Sequence, residues 1–234
     1  MCIKLTLLFI TVLFACTHQP ATPTMVVTPN AIASKYSFLS LGDSYTIGER
    51  VSEYERWSVQ LADTLKKEGI DVADPDIIAR TGWTTAELLD AIKASGNKKT
   101  YSLVSLLIGV NNQYRGQSQD RYRTEFRELL QTAINFTGGK AAHVFVLSIP
   151  DWGVSPFAQG RDLKQIASEI DAFNAIAKDE CQKASIAFVN ITPLTRKAAG
   201  DNTQFASDGL HFSGRQMKLW ANEALPVAKA LLAK

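Results

Sequence analysis

A serine stands two residues beyond a glycine at the end of an apolar run, Phe38-Leu39-Ser40-Leu41-Gly42-Asp43-Ser44. Near the other end of the chain, Asp208-Gly209-Leu210-His211 places a carboxylate and an imidazole three residues apart. Serine, histidine and aspartate together are the parts of an activated nucleophile. The imidazole takes the hydroxyl proton, and the carboxylate orients the ring and stabilises its charged form. The chain has three histidines, His18, His143 and His211. His18 lies in a proline-bearing N-terminal stretch, and His143 opens an apolar run of strand length at the far edge of any sheet, which leaves His211 as the base. Each residue also has a plainer use. Serines after strands cap helices, Asp-Gly is a common turn, and a histidine just before a helix serves structure as well as chemistry.

Other chemistries find less support. No histidine or cysteine cluster suggests a metal, and no G-x-G-x-x-G or P-loop suggests a nucleotide cofactor. An α/β-hydrolase nucleophile elbow needs glycine two residues after the serine, where this chain has Thr46. The formal net charge is +2 over 234 residues, too small to imply nucleic acid or an anionic membrane surface as partner. A chain of this length, 46% hydrophobic and 21% charged, has an ordinary globular composition and buries roughly 70% of its unfolded surface. The cysteines are Cys2, Cys16 and Cys181, which make no disulfide framework. Cys181 falls in a predicted helix and reads as a small buried apolar side chain.

The elements that must carry these residues alternate strand and helix from Tyr36 onward, so the fold class is α/β with a mainly parallel central sheet. Strands are predicted at 36–41, 76–79, 101–108, 143–148 and 186–190. The run 101–108 is apolar throughout, as in a strand covered on both faces. Helices are predicted at 57–68, from Thr84 to about Asn97, from Asp120 to Gly138, from Asp162 to about Lys183, and from Ser213 to the end. Thr84 with Glu87 is a capping box. The loop 149–160 holds Trp152, Pro156 and Phe157, and 191–212 reads as irregular. Gly42-Asp43-Ser44, Gly82, Asn111 and Asp208-His211 each follow a strand or precede the last helix. In an open parallel sheet these positions share one edge.

Four blocks in this order resemble the SGNH hydrolases, the GDSL esterase and lipase family. Gly42-Asp43-Ser44-Tyr45 is similar to the first block, with Tyr45 where leucine is commonest. Gly82 in Thr81-Gly82-Trp83-Thr84 resembles the second, Gly109-Val110-Asn111-Asn112 the third, and Asp208-Gly209-Leu210-His211 the last. Asn112 departs from the usual aspartate. The resemblance covers the chain from about Tyr36 to its C-terminus. It implies a three-layer α/β/α, flavodoxin-like fold and a serine esterase with Ser44, Asp208 and His211 as triad. It also implies an oxyanion hole made by the backbone N–H groups of Ser44 and Gly82 and the Asn111 side chain. No metal and no cofactor are expected. Trp83, Tyr114, Arg115, Trp152 and Phe157 are candidates for the substrate pocket, with ordinary loop packing as their plainer use. Short acyl or acetylated sugar esters are the favoured substrates. Acyl transfer to a glycan, lysophospholipase or thioesterase action, and a non-catalytic surface binding module are the alternatives.

The N-terminus reads as targeting. Lys4 precedes an apolar stretch from Leu5 to Ala15, of signal-peptide length. It ends Leu13-Phe14-Ala15-Cys16, similar to a bacterial lipoprotein signal in which Cys16 becomes the lipidated first residue. Residues 16–35, with Pro20, Pro23 and Pro29, then read as a tether. The expected organisation is a leader at 1–15, the tether at 16–35 and one catalytic domain at 36–234. The protein is expected to be exported to the periplasm or cell surface, and to meet the membrane only through the lipid anchor. Oligomeric state is not legible.

Overall fold

The computed structural model describes residues 34–234. The expected leader, and the tether up to residue 33 with Cys16, lie outside the described residues. In chain order the elements are β1 (Phe38–Gly42), α1 (Ser44–Ile47), α2 (Trp57–Lys67), β2 (Asp76–Ala79), α3 (Thr85–Ser95), β3 (Leu103–Leu107), α4 (Val110–Tyr114) and α5 (Gln119–Phe136). There follow β4 (Val144–Leu147), α6 (Leu163–Lys183), β5 (Ala187–Val189), α7 (Thr192–Arg196) and α8 (Gly214–Leu232). Five parallel strands are ordered β2-β1-β3-β4-β5. This is the flavodoxin-like order, in which the chain reverses direction between β1 and β3. The α/β class and the three layers expected from the sequence are both present.

The central strands are built from residues that avoid water on both faces. Every residue of β1, β3 and β4 is buried, which requires helices above and below. Helices α2 and α8 pack together on one side, and α3, α5 and α6 adjoin one another on the other. Trp57, Leu61 and Leu65 form the inward stripe of α2, and Tyr122, Phe126, Leu129, Leu130 and Ala133 that of α5. Both stripes follow the spacing read from the sequence. Two hydroxyls are nonetheless buried at the centre. Ser105 Oγ of β3 donates to Ser40 Oγ of β1 at 3.0 Å, so each satisfies the other across the ladder.

The differences from the sequence reading are local. Strand β2 has the bounds read from the sequence, and the other four are shorter than their apolar runs, because pairing with neighbours ends before the runs do. His143 closes a single 3₁₀ turn just before β4 instead of opening the strand, and its Nδ1 lies 2.9 Å from the Ser102 carbonyl. The segment 191–212 is not wholly irregular, since it contains α7. Helices α1, α4 and α7 have four or five residues each, too few for a 3.6-residue period to show. Cys181 is fully buried, and burial pushes its thiol up to about 12. It stays a protonated, apolar side chain.

Candidate active site

Strands β1, β2 and β3 end in line. Gly42 at the end of β1 pairs with Ala79 of β2 and Leu107 of β3. The loops that follow therefore leave from one edge, at the point where strand order reverses and ligands bind in such sheets. Ser44 follows β1, Gly82 follows β2, and Asn111 follows β3. Gly42 suits its position because a Cβ there would collide with the Thr46 side chain and the Leu107 carbonyl. The closeness of β3 to the first loop requires this glycine.

Asp43 caps α1, its Oδ1 accepting the Tyr45 N–H at 3.0 Å. That cap fixes the turn which presents Ser44 as the first residue of the helix. Asp43 is wholly buried, and its Oδ2 has no hydrogen-bond partner among the described residues. Burial, only partly offset by backbone N–H groups, raises its carboxyl from 3.8 to about 7.

The turn after β2 holds Gly82 at φ +87°, a conformation that favours glycine. Arg115, just beyond α4, donates to the Gly82 carbonyl at 2.5 Å and pairs with Glu87 at 3.2 Å. Asn111 Nδ2 donates to the Trp83 carbonyl at 3.0 Å. An amide nitrogen carries two hydrogens, so the second remains available. The backbone N–H groups of Ser44 and Gly82 have no acceptor among the described residues. Three donors thus stand at the ends of three adjacent strands, the requirement for holding a developing oxyanion.

Asn112 faces the other way. It is fully buried, its Oδ1 accepts the Thr85 N–H at 3.1 Å, and its Nδ2 donates to Thr85 Oγ1 at 2.6 Å and Gln117 Oε1 at 2.9 Å. It joins the loop after β3 to the start of α3 and offers nothing to the site.

His211 comes from the turn before α8. Its Nδ1 lies 2.6 Å from Asp208 Oδ2, while Asp208 Oδ1 accepts the N–H groups of Leu210 and His211 at 3.0 Å each. Burial pushes the Asp208 carboxyl up, but the imidazole hydrogen bond and the two backbone N–H groups outweigh it, leaving the group below its ordinary value. The ionised carboxylate accepts at Nδ1, so the free lone pair lies on Nε2, the tautomer a general base requires. The Tyr45 ring packs edge-on to the imidazole with centroids 5.8 Å apart, and also meets Phe212 and Trp220. The residue next to Ser44 is therefore the residue that packs against the imidazole. No hydrogen bond joins Ser44 Oγ to the imidazole among the described residues, as is common before a substrate binds.

The pocket candidates divide. Tyr114, Trp152 and Phe157 come together, with Trp152 5.3 Å from Tyr114 and 6.3 Å from Phe157 between ring centroids. Trp152 is buried, and its indole N–H donates to Gln113 Oε1 at 2.9 Å. Tyr114 and Phe157 are exposed. The Phe157 N–H donates to the Gly209 carbonyl at 2.9 Å, which attaches this cluster to the Asp208-His211 turn. Trp83 and Arg115 belong instead to the Gly82 turn. A cavity of about 680 Å³ is lined in part by Asp151, Pro156, Arg196 and Phe205, and Ser44, Gly82, Asn111 and His211 do not line it.

Asp43, Tyr45, Gln113 and Arg161 escaped the sequence reading. Asp43 and Tyr45 flank Ser44 and could have been weighed for that reason alone. Gln113 and Arg161 carried no local signal.

Among the described residues no helix is long and apolar enough to cross a membrane, and no group of histidines, cysteines and carboxylates could hold a metal ion. No curated protein sequence matches the chain. Solved structures match the fold. TesA is 20% identical and covers 83% of this chain and 99% of its own, with a TM-score of 0.66. The psychrotrophic esterase EstA from Pseudoalteromonas sp., in a structure inhibited by monoethylphosphonate, is 17% identical over 85% of this chain and 100% of its own, with a TM-score of 0.66. The acetyl xylan esterase Axe2 from Geobacillus stearothermophilus, in the form of a tryptophan-to-isoleucine variant, is 16% identical over 84% of this chain and 96% of its own, with a TM-score of 0.66. The model of the GDSL-like Lipase/Acylhydrolase family matches residues 40–219. That stretch starts inside β1, before Ser44, and ends inside α8, after His211, so it takes in every strand and every loop of the site: the chain belongs to the GDSL-like lipase/acylhydrolase family and is an ester hydrolase.

Proposed function

We propose that this hydrolase is a serine esterase whose nucleophile is Ser44, with His211 as general base and Asp208 as the group that orients it. The carrying observation is the 2.6 Å contact of His211 Nδ1 with Asp208, on a turn whose imidazole packs against Tyr45, the residue beside Ser44. His211 Nε2 takes the Ser44 proton as Oγ attacks the ester carbonyl. The resulting oxyanion is held by the N–H groups of Ser44 and Gly82 and the free Asn111 amide hydrogen. His211 then protonates the departing alkoxide, and the same base activates water to release the acid. Short acyl esters and acetylated sugar esters are the proposed substrates. One fold relative bears the printed name of an acetyl xylan esterase, which supports the acetyl-ester reading. We further propose that the protein is exported and anchored through lipidated Cys16.

A fluorophosphonate probe tests the nucleophile. Wild-type protein should be labelled once, and Ser44→Ala should lose the label while keeping its circular dichroism spectrum. Labelling that persists in the variant overturns the assignment.

A further inference from the structure

Arg161 stands over the aromatic cluster at the rim of this site. Its guanidinium carbon lies 5.5 Å from the Tyr114 ring centroid, 5.3 Å from Trp152 and 5.2 Å from Phe157. Three rings thus hold one cation, well inside the range of cation–π attraction. The cluster bridges two parts of the site. Tyr114 ends the short helix that carries Asn111, and Phe157 is hydrogen-bonded to Gly209 in the Asp208-His211 turn.

The guanidinium is steadied but not neutralised. Its side-chain hydrogen bond among the described residues is a long one, 3.4 Å to the Tyr114 hydroxyl. No carboxylate lies within salt-bridge distance of it among the described residues, although Arg115, Arg121, Arg123, Arg127 and Arg196 are all paired. A guanidinium has five N–H donors in a rigid fork that fits carboxylate and phosphate oxygens two at a time. With only that one long hydrogen bond, most of the guanidinium N–H donors have no side-chain acceptor among the described residues. Aromatic packing also removes part of the entropy lost when a long side chain grips a ligand.

We infer that Arg161 is a specificity-determining residue that selects esters bearing a carboxylate or phosphate near the scissile bond, such as an acetylated acidic sugar. This rests on the esterase reading above and narrows its substrate class. The guanidinium makes no contact with the reacting atoms. It binds the anionic group and leaves the chemistry to Ser44 and His211.

The test compares wild type with Arg161→Gln on three probes. Phenyl acetate is neutral, 4-acetoxybenzoate carries the charge on the alcohol side, and monophenyl succinate carries it on the acyl side. Dividing wild-type kcat/KM by the variant's for each probe cancels intrinsic ester reactivity. For at least one anionic probe this quotient should exceed that of phenyl acetate by about tenfold to a hundredfold, the range for a hydrogen bond to a charged group, and the effect should lie in KM. The probe that responds tells whether the anion belongs to the acyl or the alcohol part. The wild-type preference should also shrink between 50 mM and 500 mM salt, because an exposed cation is screened. Equal quotients for all three probes, or a preference indifferent to salt, overturn the subsite. Failure of wild type to hydrolyse phenyl acetate, or its hydrolysis by Ser44→Ala, overturns the esterase reading instead.

Discussion

At the scale of single residues, the two asparagines after β3 have separate surroundings. Asn111 keeps one amide hydrogen on the Trp83 carbonyl and has the other to give. A donor that strengthens only as charge develops acts on kcat, and removing one costs on the order of 10²–10³. Asn111→Ala should show a loss of that order with KM little changed, measured on one good ester. A near wild-type kcat would require the oxyanion to be read again. Asp43 makes a different prediction. Its carboxyl sits at about 7 in the folded protein, against 3.8 as its ordinary value. Between those values the folded chain keeps a proton that the unfolded chain has lost, so stability falls as pH rises from about 4 to about 7 and then levels. From pH 5 to pH 8 this amounts to at most roughly 3 kcal/mol. Asp43→Asn can still accept from Tyr45 N–H and carries no charge. Urea denaturation of wild type and variant at pH 5 and pH 8 should show a fall in the wild type that the variant lacks. Parallel slopes would mean that Asp43 is ionised throughout.

At the scale of elements, the site depends on joints between loops more than on any one loop. Asn112 is such a joint, tying the β3 loop to the first turn of α3 through Thr85, whose hydroxyl in turn donates to Glu125 of α5. Replacing it with the aspartate commoner in the family turns a buried donor into an acceptor facing Gln117 Oε1. Asn112→Asp should therefore lower stability by about 1–3 kcal/mol, the cost of a buried polar group left without its partner, while kcat changes less than tenfold. Thermal denaturation alongside steady-state kinetics separates it from Asn111→Ala, which should do the reverse. A second joint lies on the opposite side of the domain from the α2–α8 layer. Glu180 of α6 is buried under Arg123 and Arg127 of α5 and Lys183. Its hydrogen bond with Arg127, countered by burial and helped by Arg123 and Lys183, brings the carboxyl down to about 2. The charged form of this joint is thus retained through the whole pH range proposed for the Asp43 measurement.

At the scale of the whole molecule, the catalytic unit and its N-terminal extension answer separate questions. Residues 34–234 carry every candidate of the site, whereas the proposed anchor depends on Cys16 alone. If Cys16 is the lipidated first residue, globomycin should block maturation in a bacterial host, and Cys16→Ser should move the protein from the membrane fraction to the soluble one. Activity of the solubilised domain on a small ester should be unaffected. A mature wild-type protein that begins at another residue and fractionates as soluble would refute the anchor.

The sequence by itself determined the fold class and the order of the strands and longer helices, and it named Ser44, Gly82, Asn111, Asp208 and His211 as candidates. Apolar runs, glycines and caps act over a few residues, and the block order is a property of the chain alone. The buried strands were legible as short continuous apolar runs, and the inward stripes of α2 and α5 because their side chains repeat with the helical period. Helices α1, α4 and α7 were not, because one turn has no period. Only the tertiary structure decided that Asp43 is buried with one carboxylate oxygen unpartnered among the described residues, that Tyr45 braces the imidazole, and that Asn112 is turned into contacts with Thr85 and Gln117. It alone placed Arg161 on rings contributed by residues 4 to 47 positions away. Burial and long-range contact depend on which loops share an edge, and the folded sheet sets that, not the local spacing of residues along the chain.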